Sequence, residues 1–246
     1  MLKMKNAQNE LRLLVDEAYV KFSSYRFGSQ SAVHAGICCL SDEEVNQLKK
    51  LPIHQVSRSL IHNYLDAGEE SDKDALSKQI KYLLPRILEL LIEDEYIHHS
   101  YECIFDKFRL KNSEVWNKQE IDFMNQFALS FFKSKLFNYD EFNNVSSYLI
   151  MFHRGGLDIQ ILLDTWLLLT SNEIALQNLI KFIYETFPEK SFQNFFADES
   201  LVSLMNHWMS KLKSNEVFIN ALIQYISTDH PFTQDRYMAE VIFDQL

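Results

Sequence analysis

The chain has 246 residues, 47% of them apolar, and sets 24 Lys and Arg against 34 Asp and Glu for a formal net charge of −10. That apolar content excludes a disordered chain, and five Gly with four Pro are too few for an all-β protein or for glycine-built phosphate loops. The charge repels phosphate backbones, so nucleic acid is not an expected partner; Lys49, Lys50, Lys107, Arg109 and Lys111 sit among carboxylates and form no basic patch.

Helix signals follow one another along the chain. Leu13, Leu14, Ala18 and Phe22 predict a helix over Asn9–Phe22, and a loop from Ser23 to Leu40 holds Gly28, Gly36 and a Cys pair. Ser41-Asp42-Glu43-Glu44 reads as a capping box. Pro52 suits the first turn of the next helix and Gly68 the position past its end. Ser71–Glu93 is the strongest amphipathic stretch, with Ile80, Leu83, Leu84, Ile87, Leu88 and Leu91 on one face. Pro85 within it removes a backbone donor and predicts a kink or two abutting helices. Arg86, on the same stretch, should seek a carboxylate such as Glu89 or Glu93. Helices are expected over Ile97–Phe108 and from about Lys118 to Phe137.

Asn138-Tyr139-Asp140 reads as the seam between an N-terminal half, 1–138, and a C-terminal half, 139–246. Helices are expected beyond it at Glu141–His153, ended by Gly155-Gly156, and at Asp158–Leu169, Glu173–Phe187, Ser200–Leu212, Glu216–Ile226 and Gln234 onward; no strand is expected. Phe192, Phe195 and Phe196 fall between helices, as a loop plug over the C-terminal repeat or an exposed contact patch.

Two of these helices read as copies of one another. Ser171-Asn172-Glu173-Ile174-Ala175-Leu176 through Ile183 recurs 43 residues later as Ser214-Asn215-Glu216-Val217-Phe218-Ile219 through Ile226, each copy preceded by a Trp, Trp166 and Trp208. The period suits helix pairs laid on one another, so the expected fold is an all-α multi-helix array whose C-terminal half resembles an α-solenoid of HEAT-like pairs.

Chemistry-bearing motifs are sparse. G-x-G-x-x-G, Walker A, G-x-S-x-G and H-E-x-x-H are all absent, so no catalytic residue and no cofactor is expected. A metal reading would use His34, Cys38 and Cys39 in the first loop, with His99 and Cys103, four apart, on one helix face. Adjacent cysteines point different ways, and the competing reading makes all three Cys small core residues. Glu95-Tyr96-Ile97-His98 has a di-iron spacing but occurs once, so His98 and His99 are expected at a helix start on a solvated face. The N-terminal residues lack the apolar core of a signal peptide, the most apolar run, Ile159–Leu169, carries Asp164 and is too short to span a bilayer, and three Cys suit a reducing cytoplasm. No membrane association is expected.

Cys38-Cys39-Leu40-Ser41, Leu51-Pro52, the block Tyr82-Leu83-Leu84-Pro85-Arg86-Ile87-Leu88-Glu89-Leu90-Leu91 and the acidic helix following Trp116 together resemble an uncharacterised family of bacterial α-helical proteins. The resemblance implies a bacterial cytoplasmic helical protein and brings no activity with it. Members often carry a further Cys two residues before the pair, where Gly36 or Ile37 stands here, which weakens an inherited metal or redox role. The leading expectation is an acidic protein that binds another protein, one form being an immunity protein that covers a basic toxin. The alternative is a metal-binding protein or enzyme centred on Cys38-Cys39.

Overall fold

The computed structural model describes residues 2–34, 40–70, 73–138, 144–187, 191–228 and 234–245. Among them are eleven α-helices and no strand; one isolated antiparallel bridge joins Val33 and Glu69. The all-α expectation holds. The chain divides into two compact units, Met1–Phe131 with Arg154–Leu157, and Phe132–His153 with Asp158–Leu246. Of the expected seam at Asn138–Asp140, Tyr139 and Asp140 lie outside the described residues.

The first unit is organised around one helix. It contains α1 (Leu2–Lys21), α2 (Asp42–Lys50), α3 (Arg58–Asp66), α4 (Lys73–Ile92) and most of α5 (Lys118–Leu136). The predicted apolar face of α4 is fully withdrawn from water at Ile80, Leu83, Leu84, Ile87, Leu88 and Leu91, and α1 and α3 both pack on α4. At about 1.5–3 kcal/mol for each buried Leu or Ile, this face outweighs the roughly 3 kcal/mol cost of an internal proline. One helix therefore runs through Pro85, where two abutting helices were an alternative. Arg86 pairs with Glu89, Nη1 to Oε2 at 2.5 Å, and donates from Nε to Val56 O. Ser41 and Glu44 form the expected capping box of α2. Pro52 instead precedes a single 3-10 turn at Ile53–Gln55, and α3 starts at Arg58 on a Ser57 cap.

The expected helix over Ile97–Phe108 does not form. A 3-10 turn at Tyr101–Cys103 is followed by further turns closed by amides bonding three residues back, Asp106 to Cys103 and Phe108 to Phe105. Ile97, Ile104, Phe105 and Phe108 are still buried, because spacings of three and four serve 3-10 turns as well as an α-helix.

At the centre of this unit lies a buried ion pair. Lys81 Nζ is 2.6 Å from Glu120 Oε2, with 4% and 5% of the side chains exposed. Lys81 also donates to Val115 O and to the Tyr25 hydroxyl and lies over the rings of Tyr25 and Trp116. Glu120 accepts from the Tyr25 hydroxyl and the Asn117 amide, while Asn117 Oδ1 caps the Glu120 amide. Burial, then the Glu120 carboxylate, push the Tyr25 phenol up to about 12.

The second unit holds the end of α5, most of α6 (Val145–Gly155), α7 (Gln160–Leu168), α8 (Glu173–Thr186), α9 (Glu199–Leu212), α10 (Glu216–Ser227) and α11 (Gln234–Gln245). α6 stops at the expected glycines: Gly156 has φ +101°, open to glycine without penalty. The repeated segments are α8 and α10, capped alike by Asn172 on the Ala175 amide and Asn215 on the Phe218 amide. α11 packs on both α8 and α10, and α10 also touches α7, a clustering that does not by itself define a solenoid. Trp166 and Trp208 are both buried, and Trp166 donates to Ala175 O at 2.9 Å; among the described residues the Trp208 indole nitrogen has no acceptor. The phenylalanine cluster is divided: Phe192 plugs the core against Phe182 and Phe187, whereas Phe195 is 95% exposed.

Replacing Glu120 by Leu leaves a buried ammonium without its counter-charge, and should lower the unfolding free energy by about 3–5 kcal/mol. Adding Lys81→Met to that variant should recover part of the loss. Urea unfolding of the single and double variants measures both; a double variant no more stable than Glu120→Leu would contradict the assignment.

Candidate functional site

Cys38 and Cys39, the centre of the expected metal loop, lie outside the described residues. His34 is held at that loop's near end. Its amide donates to Gly68 O at 2.8 Å, its Nδ1 is 2.7 Å from Glu70 Oε1, and its ring sits where a Cβ on Gly68 would come within 2.8 Å. Cys103 is half-buried in the 3-10 turn, and burial, reinforced by Asp106, pushes its thiol up and away from the thiolate a metal requires.

His99 belongs to a different constellation, gathered on Asp66. Asp66 is the last residue of α3, and His62 lies one turn before it on the same face. His98 and His99 arrive from the segment that was expected to be helical. His99 Nδ1 is 3.1 Å and His98 Nε2 3.2 Å from Asp66 Oδ1; His62 Nδ1 is 3.6 Å from Oδ2. The rings of His98 and His99 stack at 4.1 Å. His98 is buried, contrary to the expected solvated helix start, while His99 is exposed. Asp66, His98 and His99 place one ligand atom each within 4.8 Å of one another; among the described residues, His34 and Cys103 are not part of this group.

Hydrogen bonds assign the His98 tautomer. The Ser100 amide donates to His98 Nδ1 at 3.1 Å, so Nε2 carries the proton of the neutral ring and donates it to Asp66. Burial pushes His98 down to about 4, against the pull of Asp66 and with the help of His99 and Lys107. The Lys107 ammonium donates to Leu65 O, and its own pKa is lowered by burial. The sequence signal for this site was His62-x-x-x-Asp66, one helical turn; nothing local linked it to His98 and His99.

A Ser-His-Asp grouping in the second unit has a different character. Asp198 caps α9, its Oδ1 accepting from the Leu201 amide at 2.8 Å and from the Ser200 hydroxyl at 2.7 Å. His153 Nε2 lies 3.3 Å from that same oxygen and 3.1 Å from Ser200 Oγ. A hydrolytic triad needs the carboxylate on Nδ1 and the hydroxyl donating to Nε2. Here both partners crowd one ring nitrogen and Ser200 gives its proton to the carboxylate, so Asp198 and Ser200 build a helix cap.

Two clefts in the first unit are similarly committed. One of about 410 Å³ is lined by Arg12, Asp16, Glu89 and Glu93, of which Glu89 already pairs with Arg86 and Tyr19. The other, about 420 Å³, places Arg26, Lys49 and Lys50 beside Tyr19, Tyr25 and Tyr82, and the three phenols donate to Glu89, Glu120 and Leu51 O. Among the described residues, neither cleft is lined by a buried side-chain polar atom without a partner. No family model matches the chain, and neither the curated proteins nor the solved structures include a match.

The Leu201 amide, aided by Ser200 and His153, holds the Asp198 carboxyl down at about 2, against a reference of 3.8. The folded state therefore binds fewer protons between those values; the cap contributes fully above pH 3.8 and is lost as pH falls toward 2. Asp198→Ala should cost about 1 kcal/mol at neutral pH, and the gap from the parent should narrow below pH 3.8 and close only as pH falls to about 2. Urea unfolding at pH 7, 3 and 2 measures it; a gap independent of pH would contradict the cap.

Proposed function

We propose that this chain is a protein-binding protein whose acidic C-terminal unit docks a basic partner. The observation that carries the reading is where the exposed large apolar side chains fall among the described residues. Nine of twelve belong to the second unit, including Leu168, Phe195 and Val217. That unit also carries fourteen carboxylate side chains against seven basic ones. Apolar residues that folding leaves in water, on a surface of one charge sign, suit a partner with basic residues around an apolar anchor.

A concavity of that unit lies beside the repeated helices. Thr170, Ser171, Glu173 and Leu176 form one side and Ala221, Gln224, Tyr225 and Thr228 the other, enclosing about 400 Å³. Val217, 59% exposed, lies on α10 one turn before Ala221. An inhibitor or immunity protein that covers a basic toxin is one form of this reading. No helix among the described residues is long and apolar enough to cross a membrane.

Capture of partners with the tagged full chain at low salt tests the proposal. A basic protein should be retained, released by salt, and bound at least about tenfold more weakly by Val217→Lys. Leu13→Lys, an exposed position of the first unit, should leave capture unchanged. Equal capture by the Val217→Lys chain, or a partner insensitive to salt, would refute it.

A further inference from the structure

We infer that Asp66, His99 and His62 form a surface site for a divalent transition-metal ion, with His98 as the residue that positions the carboxylate. The chemistry of the donors favours such an ion: imidazole nitrogen with one carboxylate suits Zn²⁺ or Ni²⁺ over Ca²⁺ or Mg²⁺, which prefer all-oxygen shells.

Part of a small coordination sphere is already in place. Ligands at about 2.0–2.1 Å from a tetrahedral ion lie roughly 3.4 Å from one another. His99 Nδ1 stands 3.1 Å from Asp66 Oδ1, within a group of ligand atoms less than 4.8 Å from one another; His62 Nδ1, 3.6 Å from Oδ2, is not in that group and has to move to join it. Oδ1 also meets His98, so Oδ2 is the oxygen with a single imidazole. Loading the site needs His99 to carry its proton on Nε2, which costs little on a ring 63% exposed to water, and His62 to swing toward the ion by side-chain rotation. A third protein ligand leaves one position open to water.

His98 is nearest to Asp66 among the buried groups, yet it is not the third ligand. Its Nδ1 accepts the Ser100 amide, so Nε2 bears a proton and has no lone pair to give. Binding through Nε2 would require Nδ1 to be protonated, directing two hydrogens at each other. His98 instead donates to Asp66 Oδ1 at 3.2 Å, a hydrogen bond of the kind that orients a ligating carboxylate. The flanking charges balance: Lys107 opposes a cation, and Asp106 and Glu69, the other carboxylates acting on Lys107, offset it.

The test is calorimetric titration of Zn²⁺ into the metal-free full chain at neutral pH, repeated with Co²⁺ as a spectroscopic probe. One equivalent should bind. His99→Ala and His62→Ala, both at accessible positions, should each weaken binding at least about tenfold with unchanged circular dichroism. His98→Gln, which keeps a donor toward Asp66, should bind better than His98→Phe. Bound Co²⁺ should show no thiolate charge-transfer band, and Cys38→Ser with Cys39→Ser should bind as the parent does. Absence of binding would overturn the assignment, as would binding indifferent to His99→Ala and His62→Ala. A thiolate band abolished by the Cys substitutions would move the site to the Cys38-Cys39 loop.

Discussion

Lys81 and Glu120 meet 2.6 Å apart inside the first unit, and satisfying that pair constrains much of what surrounds it. Removing two ions from water costs several kcal/mol each, and their attraction repays it only when the remaining protons and lone pairs find partners. The chain supplies those partners from separate places: the Tyr25 hydroxyl after α1, the Val115 carbonyl, the Asn117 amide and the face of Trp116. The exit of α1, the middle of α4 and the start of α5 are thereby tied to one point. α4 is also the helix on which α3 packs, so the same constraint bears on where α3 ends, and Asp66 is its last residue.

The two groupings of titratable residues show that residue types do not define a site; the direction of each hydrogen bond does. Ser200, His153 and Asp198 have the composition of a hydrolytic triad, yet the serine proton goes to the carboxylate and the imidazole meets both through one nitrogen. At Asp66 the same accounting separates three histidines by role. The Ser100 amide on His98 Nδ1 fixes that ring as a donor, while His62 and His99 turn their Nδ1 atoms to the carboxylate without such a restriction.

Most of the helical framework was legible in the sequence because its signals are local. The Ser41–Glu44 box, the Asn172 and Asn215 caps, the glycines after α6 and the apolar face of α4 act within a turn or two. Ile97–Phe108 was misread because its apolar spacing fits both helix types, and what sets the backbone there is long-range: Lys107 on Leu65 O, His98 on Asp66, and the Trp116 indole on Phe108 O. The candidate site failed to show for the same reason. His62 and Asp66 are a visible pair, but the residues that complete the cluster lie more than thirty positions away. At Pro85 the sequence allowed a kink or two abutting helices; one helix runs through it, the local penalty overridden by a fully buried face.

The repeat can be taken one step beyond its helix caps. At the 43-residue offset, Ala175, Leu179 and Phe182 correspond to Phe218, Leu222 and Tyr225, and all six are buried. The inward stripe recurs as it must for both helices to pack, although Ala opposite Phe means that the two cores are not congruent. Folding explains that much. It does not explain the outward position, where Ile174 and Val217 correspond and remain 36% and 59% exposed. A β-branched residue in water gains nothing from burial and is a poorer helix former than Ala, Lys or Glu, so neither packing nor propensity accounts for its use in both copies. The docking surface proposed for the second unit would account for it.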